Sequence, residues 1–287
     1  MRCTVVYCVL FWIFLLSETS EVRRIVGGGD ADETKYQYVV RLRAEIIHSD
    51  GSKIKKVLEH HHRCTAAVLA PTWTLTSGHC FETKDLEVLL ESEKQSFRLV
   101  VLHGSFNNLD GSIVLDIIIH PAYKLKLHAV KNDVALMRHN PITLNQYARL
   151  SGLDYVTMIG QEVTLVGYGG TNADATSLGK PLQLLDAVIV QCSEDNPTWI
   201  LKPGMCLARR CNKLSSLCPG DSGGPVLHES GVVGINSVAS PQQVYTFCSL
   251  EPYSTFYHPG GITPTSPYID WISSIIRNEV PKHYNQK

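Results

Sequence analysis

Apolar positions along this chain gather in short runs, not in long stripes of helical period. AAVLAPTWTLTS, SIVLDIIIH, DVALMRH, EVTLVGYG, LLDAVIVQC and GPVLHESGVVGINSV are rich in β-branched side chains and are separated by glycine, proline and asparagine. Such side chains suit a pleated surface and the separators are turn formers, so the runs predict strands. One stretch reads differently. In SPYIDWISSIIRNEV, Ser266 is placed to cap, Pro267 suits a first turn, and Ile269, Ile272, Ile276 and Val280 recur at helical spacing. That predicts a C-terminal helix over residues 266–280 that packs the chain end down. Between Ala44 and Arg63 lies a polar stretch, with SDGSKIKK and EHHHR, flanked by strand-like runs.

Length and charge narrow the picture. The 287 residues leave room for one large all-β unit or two small barrels sharing a core. A formal net charge of −1 argues against steering toward nucleic acid or an acidic membrane. Arg2 followed by an apolar run from Cys3 to Leu16 is too short to span a bilayer comfortably and has the form of a secretory signal, read as residues 1–20. No later segment is long and apolar enough to span, so a soluble, extracellular protein without a membrane anchor is expected. Glu21–Arg24 then reads as a short activation peptide, with two arginines before Ile25 and Val26. Nine cysteines in a secreted chain point to disulfides. Cys3 and Cys8 would leave with the signal; the seven left are an odd number, which predicts three bridges and a spare thiol.

The stretch CPGDSGGPVL, Cys218 to Leu227, is too glycine-rich for a helix and too polar for a core strand. It is a tight loop that shapes backbone around the hydroxyl of Ser222. A serine is a poor nucleophile until a base takes its proton, and histidine is the base of choice near neutral pH. TLTSGHC places His79 beside a cysteine at the end of a strand-like run. Asp133, in NDVALMRH, leads into an apolar run and can sit at a core edge to orient the imidazole. His60, His61 and His62 do not read as a metal site, because neighbouring side chains on an extended strand point to opposite faces.

IVGG, TSGHC, NDVALM, GYGG and CPGDSGGP, in this order over roughly Ile25 to Ile275, make the chain resemble the trypsin/chymotrypsin-like serine proteases. The resemblance implies an all-β fold of two six-stranded antiparallel barrels with a C-terminal helix. The peptidase domain is then 25–287, with the first barrel over 25–145 and the second over 146–265. It makes Ser222 the nucleophile, His79 the general base and Asp133 the orienting acid, with the backbone N–H groups of Gly220 and Ser222 as the oxyanion hole. It also implies a zymogen: cleavage after Arg24 frees the Ile25 ammonium to pair with Asp221, and activity should fall at alkaline pH as that amine deprotonates. The implied bridges are Cys64–Cys80, Cys192–Cys206 and Cys218–Cys248. Cys211 is left over; a free thiol, a link between chains and exchange with Cys206 all stay open.

The family's pocket floor lies six residues before the nucleophile, here at Ser216. An uncharged floor would bury Lys or Arg without a counter-ion, at a cost of several kcal/mol. With Leu217, Ser237, Val238, Ala239 and Gly260 as the other pocket positions, the resemblance implies a chymotrypsin- or elastase-like pocket with cleavage after Leu, Met, Ala or Val, or after an aromatic side chain if the walls give way. The residues 240–258, longer than usual and aromatic, are placed to fold over that pocket. Tyr168 stands where tryptophan is usual. Thr65 and Ala66 replace two glycines, and Ser77 and Gly78 replace two alanines. The expected activity is endopeptidase hydrolysis through an acyl-enzyme. No cofactor or metal is expected. The expected partners are protein or peptide substrates, an activating protease and protein inhibitors, with the chain itself a monomer. The competing reading is a binding protein that uses the same fold without catalysis.

Overall fold

The computed structural model describes residues 28–49, 55–82, 95–126, 129–170, 181–192, 200–209, 217–238 and 260–278. The signal and activation peptides, Arg24, Ile25, Cys211, Ser216, Ala239, Cys248 and the 240–258 loop lie outside them.

Strand alternation builds the first half. After β1 (Gly29–Asp30) come β2 (Val39–Ser49), β3 (Lys55–Ala70), β4 (Trp73–Thr76), β5 (Gln95–Ser105) and β6 (Asn108–Ile119). Then follow β7 (Lys124–Lys126), β8 (Ala129–Lys131) and β9 (Ala135–His139). Six of them close into a barrel in the order β2-β3-β4-β9-β6-β5. Val40, Leu42 and Ala44 of β2, Cys64, Ala66 and Val68 of β3, and Ala135 and Met137 of β9 point inward and form its core. Each set recurs every second residue, the period of one strand face.

Within the polar stretch between Ala44 and Arg63, residues 44–49 and 55–63 are strand, and β2 pairs with β3 from Val39↔Ala67 out to Ser49↔Lys55. Arg41, Arg43 and Glu45 occupy the face of β2 away from the core, and Arg41 and Glu45 are buried there with partners. Glu45 is 3% exposed and is bound by Arg43 and Arg98. Arg41 lies over the Tyr168 ring, 4.2 Å from its centroid.

The second half holds β10 (Glu162–Gly167), β11 (Gln183–Val190), β12 (Ile200–Lys202), β13 (Met205–Arg209), β14 (Pro225–His228), β15 (Gly231–Val238) and β16 (Gly261–Pro264). The order β11-β10-β14-β15-β16-β13 closes on itself because β11 also pairs with β13, and β1 joins at β11. Its core is Met158, Val163, Leu165, Leu185, Ala187, Ile189, Val226, Val233 and Ile262, with neighbours. The fold is therefore a pair of six-stranded antiparallel barrels. One contact is parallel: β12 pairs with β8 residue for residue, tying the two halves together.

The C-terminal helix, α1, spans Ile269–Asn278 after a 3₁₀ turn at Ser266–Tyr268. Tyr268 and Ile272 are buried against Trp73, Leu75, Val134 and Leu136 of the first half and Ile235 of the second, so the helix packs on both barrels. Ser266 does not cap it. The Ser266 hydroxyl oxygen instead accepts from Tyr155 N–H at 3.1 Å, because the turn brings it to the segment before β10. Among the described residues no helix is long and apolar enough to cross a membrane.

Candidate active site

β4 ends at Thr76, and a 3₁₀ turn over Gly78–Phe81 follows. Gly78, Cys80 and Phe81 of that turn are buried, which leaves the His79 side chain as the one that faces out, 24% exposed. The Cys64–Cys80 disulfide, with Cα atoms 6.3 Å apart, holds the turn to β3. Arg63 Nε donates to Cys80 O at 3.1 Å and holds it again.

Asp133 comes from the approach to β9. Asn132 before it has φ +50°, a left-handed conformation that asparagine tolerates. Its N–H donates to Lys202 O at 2.9 Å and its Nδ2 to Ala122 O at 2.8 Å. This anchor turns the next side chain inward. Asp133 is 0% exposed and accepts from His79 N–H and His79 Nδ1, each at 2.8 Å. The Ser237 hydroxyl donates to the same carboxylate. Burial opposes the charge on Asp133, but the imidazole and these hydrogen bonds outweigh it and hold its pKa below the ordinary value. The carboxylate is thus ionised and only accepts, which puts the proton of His79 on Nδ1 and leaves Nε2 as the unprotonated nitrogen of the neutral ring. For His79, burial opposes the imidazolium, yet the charge and hydrogen bond of Asp133 prevail and raise its pKa.

Ser222 lies in the loop between Leu217 and β14. Its carbonyl accepts from Thr65 N–H at 2.9 Å. Gly223, at φ +76°, has no room for a side chain: a Cβ would lie 2.0 Å from Thr76 Oγ1 and 3.0 Å from Ser77 N. The serine loop is therefore pressed against the strand end that carries His79. Gly220 is buried with φ +96°, which an L side chain rarely adopts. Asp221 is 1% exposed and accepts from Gly169 N–H at 2.8 Å and Cys218 N–H at 2.9 Å. Those two donors do not offset burial, which pushes its pKa up to about 6.

The remaining sequence expectations fall as follows. Cys192 and Cys206 are bridged, with Cα atoms 5.0 Å apart. Cys218 is disulfide-bonded to a cysteine outside the described residues. Leu217 is 5% exposed and counts among the core side chains of the second barrel, a packing role beside its pocket position. Ser237, a pocket-wall position by resemblance, spends its hydroxyl on Asp133. Gly260 is buried, and its carbonyl accepts from Leu207 N–H at 3.1 Å. Val238 ends β15 with its backbone paired to Gly261. His79 lies close to Cys64 and Cys80 as in a metal cluster, but both sulfurs are taken by the disulfide. A polar groove of about 750 Å³, lined by residues such as Tyr36, Arg149, Glu162 and His228, contains none of the predicted site residues.

Sequence reading missed a set of buried polar side chains around the serine loop. Ser77 Oγ donates to Asn236 O at 2.7 Å, across the barrel interface. Asn236 Nδ2 donates to Asp221 O at 3.2 Å. Thr65 is the third member. The signal was present as polar residues inside otherwise apolar strand runs, but alternation alone assigns such residues to the outer face.

Two antiparallel barrels, with an imidazole–carboxylate pair on one and a glycine-bound serine loop from the other packed against it, define a chymotrypsin-like serine protease architecture. Comparison with known sequences agrees. The Trypsin family model matches residues 25–272, and the chain belongs to that family. It is 28% identical to a trypsin of Squalus acanthias over 220 residues, covering 75% of this chain and 86% of that one. It is 26% identical to an anionic trypsin of Canis lupus familiaris over 263 residues, covering 90% and 92%. It is 27% identical to chymotrypsin-like elastase family member 1 of Homo sapiens over 265 residues, covering 88% and 92%.

Proposed function

We propose that this protein is a secreted serine endopeptidase, made as a zymogen and activated by cleavage after Arg24. The observation that carries the reading is the His79–Asp133 pair, with Nδ1 engaged and Nε2 left for a substrate-side proton, next to the Ser222 loop. In this proposed reaction Ser222 Oγ attacks the scissile carbonyl carbon while its proton passes to His79 Nε2. Asp133 stays ionised and stabilises the imidazolium that forms. The negative charge on the former carbonyl oxygen is received by the N–H groups of Gly220 and Ser222. Collapse expels the amine, protonated by His79, and leaves an acyl-enzyme. A water molecule then repeats the sequence and frees the acid.

The buried Asp221 supports zymogen activation. A carboxylate with two amide donors among the described residues and an elevated pKa is a fitting receptor for the new Ile25 ammonium. The neutral Ser216 favours small or medium apolar side chains over Lys or Arg at the cleaved position. The relatives include both trypsins and an elastase-like protein, so kinship leaves this choice to the pocket residues.

The test is labelling by a fluorophosphonate after processing at Arg24, followed by cleavage of a peptide library. Labelling of the wild type and not of Ser222→Ala, with cleavage after Leu, Met, Ala or Val, is expected. Absence of labelling sinks the enzymatic reading in favour of a binding protein, and cleavage after Lys or Arg sinks the specificity alone.

A further inference from the structure

We propose that Thr65 is a positioning residue for the oxyanion side of this site, holding the Gly220–Ser222 backbone through its hydroxyl. The inference rests on the endopeptidase reading above. Thr65 is 0% exposed and stands where the family resemblance leads one to expect glycine. Every polar atom it has is used. Its hydroxyl donates to Gly220 O at 2.8 Å and accepts from Tyr168 N–H at 3.0 Å. Its N–H donates to Ser222 O at 2.9 Å, and its carbonyl accepts from Thr76 Oγ1 at 3.0 Å. A β-branched side chain has few χ1 choices, so the hydroxyl is aimed rather than free to turn.

What is held matters. Gly220 has the weakest backbone preferences of any residue type, and here it sits at φ +96°. The peptide plane that follows it is gripped at both ends: Thr65 Oγ1 holds the carbonyl oxygen, and Asp221 N–H is bonded to Cys218 O at 3.0 Å. Because a peptide is planar, fixing both ends fixes the plane. The next carbonyl, of Asp221, takes Asn236 Nδ2, and the one after, of Ser222, takes Thr65 N–H. Three successive carbonyls are thus pinned by donors from β3 and β15. The N–H groups of Gly220 and Ser222 belong to this same run. Oxyanion donors act through preorganisation, so a donor free to turn away loses most of its value.

The experiment uses processed protein and compares Thr65→Val, which keeps the shape and removes the hydroxyl, with Thr65→Ser, which keeps the hydroxyl. kcat and KM are read separately on a cleaved peptide, together with affinity for a peptidyl aldehyde that forms a tetrahedral adduct with Ser222. Thr65→Val is expected to lower kcat by about 10- to 100-fold, below the loss of a whole oxyanion donor, with aldehyde affinity falling in parallel. KM is expected to stay within about 2-fold, since the interaction is made in the transition state. Thr65→Ser should restore most of kcat. A folded Thr65→Val with wild-type kcat and aldehyde affinity overturns the inference, as does Thr65→Ser falling as far as Thr65→Val. Should Thr65→Val not fold, Thr65→Ala is read against Thr65→Ser in the same way. A wild-type protein that fluorophosphonate does not label removes the enzymatic reading, and this inference with it; an active wild type with an indifferent Thr65 removes the inference alone.

Discussion

Asp133 and Asp221 are both withdrawn from water, 0% and 1% exposed, and both stand beside the reaction centre, yet their pKa values move in opposite directions. At Asp133, burial is outweighed by an imidazole that can carry charge and by hydrogen bonds from His79 and Ser237, so the carboxylate is held ionised. At Asp221, burial meets only two backbone amides and wins, taking the group up to about 6. The depth of burial is the same; the difference is a neighbour able to become a cation. One carboxylate is complete within the described chain. The other has two backbone amides as its partners among the described residues, the environment on which the proposed activation scheme draws.

The comparison is broken most severely at Asp133. Asp133→Asn keeps the shape but offers an amide N–H where His79 needs an acceptor, which favours the wrong tautomer. A loss of about 10⁴-fold in kcat near neutral pH is expected from steady-state kinetics on the processed protein. Less than a tenfold loss would mean that the pair does not orient the base.

Next comes Asp221→Asn. In processed protein it leaves the Ile25 ammonium to be buried without a counter-charge, at about 3–5 kcal/mol, or to stay outside. Activity is expected to fall at least about 10²-fold, while the same substitution in an Arg24→Ala chain that cannot be processed leaves folding intact. Equal activity of Asp221→Asn and wild type after processing would contradict the activation scheme.

The third prediction turns on sign. A carboxylate whose folded pKa is raised contributes stability that is present below its unfolded pKa of about 3.9 and lost as pH rises through the folded value. In the unprocessed chain Asp221 should therefore lose about 2 kcal/mol of stabilisation between pH 4 and pH 6.5, as pH rises through its folded value of about 6. Asp133 runs the other way: its contribution is present above the unfolded pKa and lost as pH falls through its lowered folded value. Denaturant unfolding of the Arg24→Ala chain at the two pH values, with and without Asp221→Asn, isolates the first effect. An identical pH dependence in both proteins would show that Asp221 does not titrate as its surroundings dictate.

The smallest effect concerns the turn that carries His79. A Cβ on Gly78 would lie 3.1 Å from the Tyr123 ring and 3.2 Å from Ile119 Cγ2. Gly78→Ala, which restores the residue that the family resemblance leads one to expect there, is expected to lower stability by about 1–2 kcal/mol, read as a drop in Tm. A rise in Tm would show that Tyr123 yields freely.

Much of the fold could be read from the chain, and the failures are instructive. Runs such as EVTLVG and QLLDAVIV announced themselves as strands because apolar side chains recur every second residue on a buried face. The β2–β3 hairpin did not, since Arg41, Arg43 and Glu45 interrupt it; their burial depends on Tyr168 and Arg98, far away in sequence. The parallel contact of β8 with β12 involves short strands with no pattern of their own. Around the site, His79, Asp133 and Ser222 stood out because each lies in a short, distinctive string of residues. Thr65 and Ser77 showed only as departures from the family pattern and Asn236 not at all, because a hydroxyl or amide in or at the end of a strand looks like any outward-facing position.

The amino-acid sequence by itself determined which side chains are available for chemistry, in what order, and the strand periodicity that folds them into two barrels. Those are properties of residue type and of spacing along the chain. Only the tertiary structure decided in which direction the pKa of each buried carboxylate moves, which tautomer His79 holds, and that three carbonyls beside Ser222 are clamped by Thr65 and Asn236. Those depend on distances of about 3 Å between residues remote in sequence, and hydrogen bonding and desolvation change steeply over that range.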